Sequence, residues 1–396
     1  MSLMSTRRTS LIGAMLATLG PISMSLYTPA MPTLVTAFGT TESAIKLTLS
    51  AYFAGFSIAQ LAAGPLSDAY GRRKATIGFL IVYLVGSLMA ALAPTVDLLI
   101  LGRLIQGIGA AVGITVARAI VRDQYTGDEG AGIMNLIGIM LAVGPALGPS
   151  LGAIALAAFG WPSVFALMVA FGLVSLAVTL LSLRETTIPN PGLTRPGGVI
   201  RAYGALIIDS RFLTRALIMA GSVGALYAWA TMLPFLLINE AGLTPSQFGA
   251  SMLMQSGSYF LGSLALRQFM RHHTGAAAVA IGLAFIAIGA LGMVATGHGL
   301  LPVGFLTVMA PVAVYAFGIA FVSPQVTTDA MQPFPAFAGS SSALLGFIQM
   351  GAGFAGGLTA AAIGEPLRAF GIVAPVLAVI AIGAWVWQGK CRRKAK

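Results

Sequence analysis

Twelve runs of about 20 apolar residues, the length that crosses the hydrocarbon core of a bilayer, follow one another along this chain of 396 residues. They fall at roughly 11–35, 45–66, 75–94, 97–119, 131–157 and 163–183, then at 212–237, 246–266, 275–296, 300–323, 338–363 and 371–388. A soluble domain cannot bury them all. Hydrophobic residues make up 57% of the chain and charged residues only 8%, and the mean hydropathy is +0.91, a composition that lipid solvates and water does not. The stretch RETTIPNPGLTRPGGVIRAYGALIIDSR, 184–211, is too rich in Pro, Gly and Arg to span. The expected fold is therefore all-α and integral to a membrane: twelve transmembrane helices in two six-helix bundles, 1–183 and 212–396, joined by the linker 184–211.

Charges set the orientation because they are scarce. Of the 22 Lys and Arg, Lys46 and Arg368 fall on one face and Arg103 alone is inside a span, which leaves 19 on the face that carries both ends of the chain. The positive-inside rule makes that face cytoplasmic. Arg7 and Arg8 precede an apolar stretch too long for a signal-peptide core and without a small-residue cleavage site, so it reads as an uncleaved first span. A net charge of +11 would suggest nucleic acid in a soluble protein, but these cations flank apolar segments singly and in threes, which argues against it. The one cysteine, Cys391, excludes a disulfide framework and a cysteine metal cluster. His272 and His273 have no third ligand in view, and no pair of buried carboxylates suggests an active site. Neither an enzyme nor a metal or cofactor protein is expected.

The densest charge lies in GPLSDAYGRRK, residues 64–74. Here Gly64-Pro65 is expected to end a helix, Asp68 to cap the next turn, Gly71 to reverse the chain, and Arg72, Arg73 and Lys74 to stay in water. In span four, LILGRLIQGIGAA places Arg103 among apolar residues, where a cation either serves a function or snorkels to the headgroups. In span five, LAVGPALGPSLGAI repeats Gly144, Gly148 and Gly152 along one helix face, the pattern of close helix contact, with Pro145 and Pro149 as kinks.

These stretches resemble motifs of the major facilitator superfamily. The 64–74 run is similar to its loop 2–3 signature, and Arg103 with Gln106 and Gly107 to a span-four motif whose arginine is linked to proton transfer. The span-five run is similar to the antiporter motif G-P-x-x-G-G of exporters, departing from it at Met140 and Pro149. The GP-x-x-GP form resembles the bicyclomycin and chloramphenicol resistance (Bcr/CflA) branch. So do LYTPAMPTLV (26–35), with Tyr27, Pro29, Ala30 and Pro32, and PFPAFAGSSSALLGFIQMGAG (333–353), with Gly339, Ser342, Gly346 and Gln349. Aligning Gly64 with Gly262 sets GSLALRQFMRHH against the 64–74 loop, as a duplication would, with Leu266 at the Asp position and Arg267 and Arg271 keeping the loop cationic.

The resemblance implies two pseudo-symmetric bundles, alternating access, and export of small amphipathic drugs or metabolites across a bacterial inner membrane. It also implies a proton gradient in place of any cofactor, and a monomer as the working unit. The family pattern pairs Asp123 with Arg72 or Arg73 as a conformational latch and turns Asp68 toward the start of span eleven. Where many relatives carry an acid in span one, this chain has Ser25, and no Asp or Glu lies firmly inside a span. Asp329 is the substitute proton carrier that the sequence offers beside Asp68 and Asp123. A cavity without fixed negative charge suits neutral or zwitterionic amphipaths, with Tyr27, Tyr52, Gln60, Gln106, Tyr227 and Gln255 as candidate contacts and Phe56, Trp229 and Tyr259 as further aromatic walls. The missing acid keeps two alternatives open, a sugar or metabolite exporter and an uncoupled facilitator. A non-transporting sensor is opposed by the intact 64–74 loop and Arg103.

Overall fold

Threonines open several of the membrane crossings. The side chains of Thr41, Thr95, Thr244 and Thr274 each accept a backbone N–H three residues on, and at Thr244 the Gln247 side chain returns the bond. The computed structural model describes residues 4–125, 127–189, 196–334 and 338–394, and has no strand among them. The first half consists of α1 (Thr6–Ser25), α2 (Met31–Ala37), α3 (Glu42–Tyr70), α4 (Arg72–Ala91), α5 (Val96–Ala110), α6 (Val112–Gln124), α7 (Gly127–Phe159) and α8 (Pro162–Ser182). After α9 (Pro196–Ile208) come α10 (Ser210–Trp229), α11 (Pro245–Phe269), α12 (Gly275–Gly297), α13 (Phe305–Met331), α14 (Ala338–Ile363) and α15 (Pro366–Lys394).

Among the described residues, 11 helices are long and apolar enough to cross a membrane. The twelfth crossing is α11, whose 25 residues suffice in length but include Ser251, Gln255 and Ser258. Their polar atoms are spent inside the protein: Ser251 on the Phe248 carbonyl, Gln255 on the Trp229 indole and Ser258 on the Ala313 carbonyl. Spans one and four are each made of two helices, α1 with α2 and α5 with α6. In span one the join is a 3-10 turn at Thr28–Ala30, and past α10 a π-turn, Phe235–Glu240, follows Pro234.

The two bundles repeat one another. α3 packs on α5 as α11 packs on α13, α4 on α5 as α12 on α13, α1 on α7 as α10 on α14, and α4 on α8 as α12 on α15. Across the halves the contacts are α3 with α14 and α11 with α7, again exchanged by the pseudo-twofold. Gly64 faces Thr115 of α6, and its duplicate Gly262 faces Phe317 and Ala320 of α13. One apolar core gathers buried residues from Met4 to Leu183 together with Phe235, and a second runs from Leu206 to Ala384. Ile154, Phe159, Leu181, Leu291 and Val379 point outward, as a lipid-facing surface requires.

Two local expectations change, and the linker gains detail. Pro65 does not end a helix: α3 runs through it to Tyr70 and stops at Gly71, whose φ of +98° needs a residue without Cβ. Span packing keeps the proline-interrupted helix continuous, as membrane helices tolerate. Arg72 does not stay in water but is 3% exposed. The linker holds a helix of its own, α9, whose Tyr203 hydroxyl donates to the Leu61 carbonyl of α3 at 2.8 Å, tying it to the first bundle.

Candidate transport site

Gly71 turns the chain so that Arg72 points back between α3 and α6. Its Nε donates to Asp123 Oδ2 at 2.9 Å and its Nη2 to Oδ1 at 3.4 Å, a forked pair. The Ser67 hydroxyl accepts from Nη1 at 2.7 Å, and Asp68 pairs with the same guanidinium. Of the two candidate partners of Asp123 the structure selects Arg72; Arg73 instead donates to the Leu180 carbonyl at the end of α8. Asp68 is engaged one turn along its own chain, and the residues just before α14, which it was expected to face, lie outside the described residues. Sequence reasoning missed Glu185, whose carboxylate accepts the N–H groups of Arg72 at 2.7 Å and Arg73 at 3.2 Å and so caps α4. Thr186 adds a bond to Asp123 at 2.9 Å. This cluster of charges, expected from sequence to act as a latch and called so below, joins α3, α4, α6 and the start of the linker.

Arg103 does not snorkel. Its side chain is wholly buried between the rings of Tyr27 and Tyr52, each centred 4.5 Å from the guanidinium carbon. Nη1 donates to the Ser23 carbonyl at 3.3 Å and to Gln106 Oε1, while Nε and Nη2 have no hydrogen-bond partner. Gln106 is held by Ser87 at 2.8 Å, Tyr27 by Thr48 at 2.5 Å, and Tyr52 by the Gly20 carbonyl at 3.0 Å. None of the ion pairs among the described residues includes Arg103. Tyr27, Tyr52 and Gln106, expected as substrate contacts, are therefore the walls of the arginine's box.

Asp329 lies in the last turn of α13, hydrogen-bonded to Gln325 at 2.8 Å. Counted along helices that start on the same face, it lies about 25 Å deeper than Arg103 at 1.5 Å per residue. The two residues expected to share proton coupling are not brought together.

The glycine face of α7 meets α1 as its spacing predicts. A Cβ at Gly144 would lie 3.0 Å from Pro21, at Gly148 2.0 Å from Ser25 Oγ and at Gly152 2.1 Å from the Leu26 carbonyl. Pro145 and Pro149 sit inside α7 and, with Gln255 and Trp229, line a small pocket of about 30 Å³ between the halves.

A larger cavity of about 160 Å³ opens between the bundles on the latch side. It reaches from Gly20 and Pro21 in α1 to Met331, the last residue of α13. Gln60 and Tyr227, two of the candidate contacts, line it beside Phe56, Gln349 and Ser342. Arg118 of α6 also lines it, surrounded by protein yet reached by solvent, and was missed because it was counted with the cytoplasmic cations. Its place inside the 97–119 window was the available signal. At the opposite face the halves touch. There Lys46 Nζ donates to the Gly364 carbonyl at 2.8 Å, Ser43 to the Ala361 carbonyl at 2.8 Å, and Asn239 to Glu42 at 2.9 Å. Lys46, expected on an aqueous surface, is fully buried in this seal.

Residues 13–360 match the Major Facilitator Superfamily. The chain is 30% identical to an uncharacterised MFS-type transporter, YdgK of Bacillus subtilis, over 85% of this chain and 84% of that one. It is 27% identical to the multidrug resistance protein MdtL of Shewanella oneidensis over 83% and 82%. Among solved structures, a D-xylose–proton symporter superposes with a TM-score of 0.74 at 14% identity, covering 94% of this chain and 96% of that one. An auto-inhibited peptide transporter of the POT family gives 0.73 at 15%, covering 96% of each. Motifs, paired bundles and sequence match agree, and the chain belongs to the major facilitator superfamily.

Proposed function

We propose that this protein exports small amphipathic compounds by alternating access. The observation that carries the reading is the cavity between the two bundles, open toward the latch face and closed off by the Lys46–Gly364 seal at the other. Polar side chains from both halves meet apolar walls there, as ligand sites require. The latch face is the cytoplasmic one in this reading, because most of the 22 Lys and Arg flank the spans on its side, and the membrane is a bacterial inner membrane. The antiporter-like seam of α7 and the likeness to multidrug proteins named MdtL support export of drug-like cargo and a place in the Bcr/CflA branch. The unit is a monomer, with one cavity per chain.

Exchange for protons is the coupling the family suggests, with Asp329 and the latch carboxylates as the acids at hand. A second reading, uncoupled transport, is favoured by one observation: Arg103 has no carboxylate beside it that could release and retake a proton. Reconstitution in liposomes with an internal pH dye separates the two. Solute flux that moves pH, and that Arg103→Ala abolishes, supports antiport. Solute flux at constant pH supports the facilitator, and no flux for any member of a drug panel overturns both.

A further inference from the structure

The cavity holds more unspent hydrogen-bonding capacity than a site for purely apolar or neutral cargo requires. Arg118 makes no hydrogen bond or ion pair among the described residues. Gln60 is 8% exposed, and its Oε1 is buried without a partner. Its amide is aimed at the cavity by Gly346, which packs against it. The hydroxyl of Tyr227, from the other bundle, is also unbonded among the described residues, its ring resting on Phe53 at 5.6 Å.

Charge decides what such a set would hold. Arg118 and Tyr227 are the titratable groups of the lining, and no carboxylate joins them. The nearest acidic residues along the same helix and loop are spent elsewhere: Asp123 and Asp68 on Arg72, and Asp329 on the Gln325 amide. A guanidinium enclosed by protein, reached by solvent and unneutralised is a binding site for an oxyanion, which it can take with two parallel N–H donors. The cations that crowd the same face would concentrate anions at the mouth.

We propose that the cargo is an amphipathic monoanion whose carboxylate, or an oxyanion like it, docks on Arg118 with a donor from Tyr227. Its apolar body lies against Phe56 and the methionines Met219 and Met350. This rests on the cavity being the transport site, and it replaces the neutral or zwitterionic cargo expected from sequence. It also supplies a driving force that needs no acid in the membrane. A single negative charge leaving an inside-negative cell is favoured roughly 50-fold per 100 mV of potential.

The test compares three compounds on one skeleton, 2-naphthylacetate, its amide and 2-(2-naphthyl)ethylamine, by calorimetric binding to the purified full chain and by flux in liposomes under an imposed potential. The carboxylate is expected to bind at least tenfold tighter than the amide, with the amine weakest. Arg118→Gln should bring carboxylate and amide within about twofold, and Arg118→Lys should keep the order. Should Arg118→Gln fold poorly, the ranking in the unaltered protein and in Arg118→Lys still decides. Amide or amine binding as tightly as the carboxylate overturns the proposal, as does Arg118→Gln retaining the preference, or a neutral drug crossing while the carboxylate does not bind. A protein that binds the carboxylate through Arg118 yet moves no solute supports the site and overturns only the transport reading.

Discussion

A Cβ placed on Gly346 would lie 2.5 Å from both Nε2 and Oε1 of Gln60, so the bare backbone of α14 is what lets that amide sit between the two bundles. Gly346→Ala should leave thermal unfolding nearly unchanged, because a flexible side-chain end can move aside, but should push the amide across the cavity and weaken cargo binding several-fold. Gly351→Ala, where an added methyl meets nothing within 4 Å, is the control. Equal binding in the two variants would show that Gln60 does not help define the cavity.

Removing one partner from a buried pair strands the other. Asp123→Asn leaves Arg72, 4% exposed along its side chain, with the partly exposed Asp68 as its one remaining ionic partner, and should cost about 3 kcal/mol. Arg73→Gln, which gives up a surface bond to a carbonyl, should cost under about 1 kcal/mol. Thermal unfolding in detergent measures both, and similar losses would mean that Arg73 shares the latch after all.

Arg103 predicts the opposite sign. Two of its nitrogens are buried without a protein partner, so an apolar residue of similar size removes a desolvation penalty. Arg103→Met should fold at least as stably as the parent while solute flux in liposomes disappears. Unfolding temperature and liposome flux, measured on one preparation, check the two halves of the statement, and a clear loss of stability would show that the tyrosine stacking outweighs desolvation.

The seal at the far face carries a pH dependence. Burial, then the charges of Glu42 and Glu365, push the Glu240 carboxyl above its ordinary value, with Lys46 opposing them. A raised acid takes up its proton more readily in the closed seal than when hydrated in an open one. Closure is therefore favoured at low pH and loses that contribution as pH rises through the raised value. The closed fraction, read from the distance between two spectroscopic labels at the seal-side ends of α3 and α14, should rise as pH falls from neutral to about 5, and Glu240→Gln should flatten the curve. An unchanged slope in the variant would assign the titration to another group.

Apolar run length and cation placement made the crossings and their two halves legible, since both follow from lipid as the solvent. The glycine seam of α7 was legible for the same reason: a spacing of four residues has one geometric meaning on a helix. What stayed hidden depended on which chain comes alongside. Tyr27, Tyr52 and Gln106 read equally well as pocket walls or as an arginine's box until α1 and α3 are placed beside α5. Lys46 and Arg72 looked hydrated because sequence shows the sign of a charge but not the carbonyl or carboxylate brought to it. Arg118 sits near the end of its span, where a lysine or arginine reads as a topology signal, and only the gap between the bundles turns it inward.

Ser25 occupies the place of the family's acid, and the seam explains what that substitution entails. Its hydroxyl lies within hydrogen-bonding distance of three carbonyl oxygens, Pro21 at 2.8 Å, Ile22 at 3.3 Å and Gly144 at 2.9 Å. An ionised carboxylate there would face acceptors alone, and its extra atoms would press on Gly148. Placing an acid at this position therefore demands prior changes in α7, so a membrane-embedded carboxylate cannot be installed here by one substitution.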